Sequence, residues 1–254
     1  MRKLIGASGS VLLAALVVGA IGMGFNAQAY ESPIGTLKAT PTGTDTTCGA
    51  AMPHVKFAVG AYPDSSGVDS SGHPVHPGGN PDWPAFGPSN NYSVPAGSCV
   101  TMTITQYDSG ELLNNPYFGA VQGTIGGTIH VVSSGTNVSH CGGSEPGTET
   151  SATFNGDYKA IPPCAIGHTF SMRPLPGVSP GFFLNVPLPV AGNYAGDNVG
   201  NTSDFPHQTV TFSFIAGAKG AYSWNCEFPC GHGVASFGAV MSAYGYMSGY
   251  LHVV

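Results

Sequence analysis

Apolar and polar positions alternate with a period of two in a series of short stretches. The first is "HVKFAVGAY" (54–62), and a stronger one lies in "YSVPAGSCVTMTITQYD" (92–108), where Val100, Met102 and Ile104 fall on one side of a strand fed by a turn at Pro95-Ala96-Gly97. Further strands are expected at 120–132, 152–161, 167–175, 208–216, 220–226 and 248–254. At least seven short strands separated by turn residues predict an all-β sandwich. Between them, residues 63–94 are too rich in Gly, Pro, Ser and Asn to be regular. His73 and His76 sit in that loop and are expected to face solvent. Residues 176–207 hold Phe182, Phe183, Leu184, Val186 and Leu188 among prolines. They are expected to form a flap closing one end of the barrel, with a hydrophobic docking or site-shielding surface as the alternative.

Composition narrows this picture. The 38 glycines and 21 prolines disfavour long helices, and the 254 residues suit one domain with its own core. Only 8% of residues are charged, against roughly 25% in an ordinary soluble protein, so Ser, Thr, Asn and Gly must supply surface polarity. With a formal charge of −6 and no basic run, nucleic acid is not an expected partner.

The N-terminus adds a destination. Arg2 and Lys3 precede an apolar run from Leu4 to Phe25, and Ala27-Gln28-Ala29 has the form of a signal-peptidase site. Residues 1–29 are therefore expected to be a signal peptide, with a retained membrane anchor as the alternative. Residues 30–50 read as a spacer and 51–254 as the domain. Either way the domain is expected outside the cytoplasm.

Six cysteines in an exported chain point first to disulfides. Cys48, Cys99, Cys141 and Cys164 have no metal-ligand spacing among themselves. They are expected to form two bridges, Cys48–Cys99 and Cys141–Cys164 being the first choice of three pairings. Cys226 and Cys230 remain, in "SWNCEFPCGHG" (223–233), followed by Met241 and Met247. A three-residue gap also admits a Cys226–Cys230 disulfide with no metal.

"VPAGSCVTMTI", "IGHTFSM", "VTFSFIAGAKGAYSWNCEFPCG" and "GYMSGYLHVV" resemble, in order and spacing, the successive strands of cupredoxins. The likeness covers most of 92–254, and the chain resembles exported single-domain cupredoxins and the copper domain of cytochrome oxidase subunit II. It implies a Greek-key β-sandwich or barrel of cupredoxin type with long irregular loops, and copper as cofactor. It also implies His168, Cys226, Cys230 or His232, and Met247 or Met241 as ligands. The donor chemistry agrees: imidazole and thiolate suit a copper ion that changes oxidation state, and a weak axial thioether tunes its potential. The subunit II pattern places a His and a Met four and seven residues after its second cysteine, where this chain has Val234 and Phe237. A binuclear centre is thus less expected than a mononuclear one.

The resulting expectation is an exported electron carrier that exchanges single electrons with another extracytoplasmic redox protein. Copper storage or delivery and a metal-free, disulfide-stapled structural domain are the alternatives. Catalysis is not expected. The chain has no His-x-His pair of the multicopper oxidase kind and no Gly-x-Ser-x-Gly elbow.

Overall fold

The structure, a computed structural model, describes residues 36–62, 84–108, 115–143, 148, 150–192, 206–228, 230 and 245–254. In chain order the strands are β1 (Thr36–Lys38), β2 (Thr44–Asp45), β3 (Met52–Tyr62), β4 (Ala85–Gly87), β5 (Asn91–Val94), β6 (Cys99–Gln106), β7 (Ile129–Ser134) and β8 (Val138–Ser139). They continue with β9 (Thr150–Ser151), β10 (Asn155–Tyr158), β11 (Ile166–Pro174), β12 (Leu184–Pro189), β13 (His207–Ile215), β14 (Gly220–Asn225) and β15 (Ser248–Val253). One helical turn, Pro116–Gly119, is capped by the Asn115 side chain.

Two sheets carry the fold. One has the order β1-β5-β15-β14-β11-β12, the other β10-β7-β13-β6-β3-β2 with β4 also on β3. Most neighbours are antiparallel, but β5 runs parallel to β15 and β3 parallel to β6. Parallel neighbours cannot be joined by a hairpin, so the chain must cross between sheets. The result is the Greek-key sandwich that the cupredoxin resemblance implies.

The period-two pattern explains the core. On β6, Val100, Met102 and Ile104 are buried while Thr101, Thr103 and Thr105 are only partly so. Val210, Phe212 and Phe214 lie opposite on β13 and point the same way. From the other sheet Phe170 meets Phe212 with ring centroids 6.1 Å apart, and Tyr92 meets Phe57 at 5.3 Å. One buried cluster results, shared by both sheets.

Four expectations change. The stretch 63–94, expected to be irregular, carries β4 and β5 at its end. Residues 36–50 do not act as a spacer: β1 joins β5 in one sheet and β2 joins β3 in the other. Of the apolar residues in the expected flap, Leu184, Val186 and Leu188 lie on the fully buried strand β12, paired with β11, whereas Phe182 is half-buried and Phe183 exposed. The β12 prolines, Pro187 and Pro189, donate nothing to a ladder, which an edge strand tolerates. Of 120–132, only 129–132 is strand: Ile125–Gly127 forms a 3-10 turn, and before it Gly123 has a φ of 76° and a Cβ there would run into the Phe183 carbonyl.

Disulfides join Cys48 to Cys99 and Cys141 to Cys164. They are consistent with an oxidising, extracytoplasmic compartment. Among the described residues no helix is long and apolar enough to cross a membrane. The expected leader, 1–29, and the loop bearing His73 and His76 lie outside the described residues.

Candidate metal centre

The centre forms where β11 and β14 part. Their last paired residues are Ser171 and Asn225, and the chain then leaves β14 at Cys226. Three hydrogen bonds hold that exit. The Cys226 amide donates to the Met247 carbonyl at 2.8 Å, the Glu227 amide to Thr169 Oγ1 at 2.8 Å, and the Thr169 amide to Cys226 Sγ at 3.3 Å. His168 is aimed from β11 by an irregularity in its pairing with β12, between Ile166 and His168. Such bulges re-aim side chains next to functional sites.

His168, Cys226 and Cys230 are brought together, all of them buried. His168 Nδ1 lies 3.0 Å from Cys230 Sγ and 3.6 Å from Cys226 Sγ, and the two sulfurs are 3.2 Å apart without a bond between them. The Phe228 carbonyl faces both sulfurs, 3.0 Å from Cys230 Sγ and 3.5 Å from Cys226 Sγ. Cys226 Sγ also accepts from the Phe228 amide at 3.4 Å. The other ring nitrogen, His168 Nε2, is 2.8 Å from Asp108 Oδ2.

These contacts set the charges. Burial by itself pushes His168 down, but the hydrogen bonds and negative charge of Asp108 and Cys226 lift it to about 10. Burial likewise pushes the Cys226 thiol up, and hydrogen bonds from Cys230 and His168, the imidazolium charge and the Thr169 amide bring it well below its ordinary value. In the metal-free centre these contacts thus favour an imidazolium–thiolate pair.

A pH dependence follows. The raised His168 stabilises the fold fully below its ordinary 6.5 and loses that contribution as pH climbs to about 10. The lowered Cys226 stabilises fully above its ordinary 9.0 and loses its contribution as pH falls. Between those limits the two slopes oppose each other. The thermal midpoint of metal-free protein, less that of the double variant Cys226→Ser/His168→Gln at the same pH, should therefore fall as pH climbs above about 9 and fall again toward acid. A difference that rises steadily toward acid would mean the thiol stays protonated.

Met247 is buried, and its backbone lies beside Cys226 at the start of β15. His232 and Met241 lie outside the described residues. Asp108 was not anticipated. Nothing in "QYDSG" marks it, because its contact with His168 spans 60 residues.

A second group, Asp45, His54 and Cys99, also lies close together. It is a poor metal site: Cys99 is used by its disulfide, and both nitrogens of His54 are engaged, Nδ1 by Asp45 and Nε2 by Thr101 Oγ1 at 2.8 Å. Thr101 continues to Ser213 Oγ at 2.7 Å. The chain of contacts ties β2, β3, β6 and β13 together.

No family model matches the chain, and no curated protein matches it. Among solved structures, a methionine-to-glutamine mutant of rusticyanin is similar, at 14% identity and a TM-score of 0.29, with 84% of this chain and 88% of that chain covered.

Proposed function

We propose that the chain is an exported, cupredoxin-like copper protein that carries single electrons between extracytoplasmic redox partners. One observation carries this: an imidazole nitrogen and two cysteine sulfurs, all buried, converge within 4.8 Å at the end of two paired strands. Nitrogen and thiolate donors fit copper and also zinc. Met247 favours copper, since a buried methionine beside Cys226 brings a thioether, a soft donor that suits cuprous ion, to the neighbourhood. His232 and Met241 are proposed as further donors.

Copper, when bound, would supply one-electron exchange between its cuprous and cupric states. The protein's part is to hold the donors still. β11, β14 and β15 fix the backbone on which His168, Cys226 and Met247 sit. Two amides already point at Cys226 Sγ, which favours the thiolate. Burial excludes water, and donors held this way leave little to rearrange when charge changes.

The second sulfur supports one other use. Cys230 Sγ is the closer of the two to His168 Nδ1, and a sulfur-rich set suits cuprous ion held for storage or delivery. Adding cupric ion to one sample and cuprous ion to another, both without air and both of reduced protein, separates the uses. Stoichiometric uptake with an intense visible band from thiolate-to-copper charge transfer is expected of the carrier. Colourless uptake of cuprous ion alone would favour storage or delivery. No uptake, with Cys226 and Cys230 closed into a disulfide, would leave a metal-free structural domain.

A further inference from the structure

The His168 imidazole is held from both sides, and the side away from the sulfurs is built as carefully as the side facing them. Asp108 follows the end of β6 by two residues, and its side chain is mostly buried, 16% exposed. Its backbone carbonyl accepts from Gln106 Nε2 at 2.9 Å and from the Ala191 amide at 2.9 Å. Those bonds fix the peptide that carries the carboxylate. Oδ2 then meets His168 Nε2 at 2.8 Å. The approach depends on Gly167: a Cβ there would lie 2.6 Å from Gln106 Nε2 and 3.1 Å from the Asp108 carbonyl oxygen. Gly167 is also the residue at the irregularity that aims His168. Gly167, Gln106, Asp108 and Ala191 thus form one support whose product is a carboxylate on the far nitrogen of the imidazole.

We propose that Asp108 is the positioning residue that sets the redox balance of the centre through His168. This rests on the metal-centre reading above. The carboxylate accepts the Nε2 proton, which leaves the Nδ1 lone pair for the metal and fixes the plane of the ring. A negative partner also makes the imidazole a stronger donor. A stronger, harder donor stabilises cupric ion more than cuprous, so Asp108 lowers the potential.

Asp108→Asn keeps the shape and an oxygen acceptor while removing the charge. Loss of such a partner typically weakens metal binding by about 10–100-fold. If that loss falls on cupric ion and spares cuprous, the midpoint potential rises by about 60–120 mV, at 59 mV per tenfold for one electron. Competition with chelators for each oxidation state reads the same difference without electrochemistry. Asp108→Glu, which retains the charge, should restore part of the shift. In the diamagnetic cuprous protein, nitrogen NMR of wild type should place the ring proton on Nε2.

The outcomes separate. If wild type binds copper and Asp108→Asn, with an unchanged strand-rich circular dichroism spectrum, leaves the potential and both affinities where they were, the proposal about Asp108 fails and the centre stands. A ring proton on Nδ1 of the copper-loaded wild type would overturn the proposal even if the variant did not fold. If wild type binds no copper, the reading of the centre fails, and the role of Asp108 fails with it.

Discussion

Trp224→Ala should cost about 3–5 kcal/mol of folding stability, a large part of the roughly 5–15 kcal/mol that a domain possesses. Trp224 is fully buried on β14, opposite Met172 on one neighbouring strand and Gly249 on the other. Its ring stacks on Phe170 with centroids 4.8 Å apart and meets Phe86 edge-on at 4.9 Å. Its indole N–H donates to the Asn90 carbonyl at 2.8 Å, which ties β14 to the residue that leads into β5. Alanine removes the ring contacts and one of the two hydrogen bonds to that carbonyl, which keeps the Tyr250 amide at 3.1 Å, and the cavity cannot collapse because strands on both sides are locked in register. Urea denaturation of metal-free protein measures the loss. A cost below about 1 kcal/mol would mean that the indole is not the centre of this core. Trp224→Phe should cost less, since it keeps the stacking with Phe170 and gives up only the hydrogen bond and part of the volume.

The same strand shows why much of the fold can be read from sequence. Trp224 and Cys226 are two apart, so they share one face, and both are fully buried. The alternation in 99–106 likewise fixes which side of β6 faces inward. Such local rules operate within one strand, and they name the strands well. They fail where a residue's role comes from a distant partner. Leu184–Pro189 looks like a loop because of its prolines, and only the position of β12 at the edge of the sheet makes those prolines harmless. Residues 36–38 look like spacer because their strand character lies in pairing with β5, a contact more than fifty residues away. Within the centre, His168 and Cys226 are legible because they sit at strand ends and are of the residue types that bind soft metals. Asp108 carries no such mark, and its value depends on the close approach that Gly167 permits.

Cys226→Ser should abolish the visible band and most copper binding while leaving the strands in place, whereas Cys141→Ser or Cys164→Ser should do the reverse. Serine has nearly the shape of cysteine, and its hydroxyl can accept the amides of Thr169 and Phe228 that now point at Cys226 Sγ. What it lacks is a polarisable, readily ionised sulfur, and the charge-transfer band requires that sulfur. The bridge between Cys141 and Cys164 does different work. Cys164 lies just before β11, in the turn Pro163–Ala165. Opening the bridge loosens the entry to that strand, at a cost of about 2–5 kcal/mol typical of a native disulfide. It does not release His168, whose strand is still held by β12 on one side and β14 on the other. Copper content by elemental analysis, the absorption spectrum and the urea midpoint, measured on the same preparations, distinguish the two cases. If Cys141→Ser lost its copper while its urea midpoint stayed at the wild-type value, the division between stapling and ligating cysteines would be wrong, because the bridge would then be acting on the centre without acting on the fold.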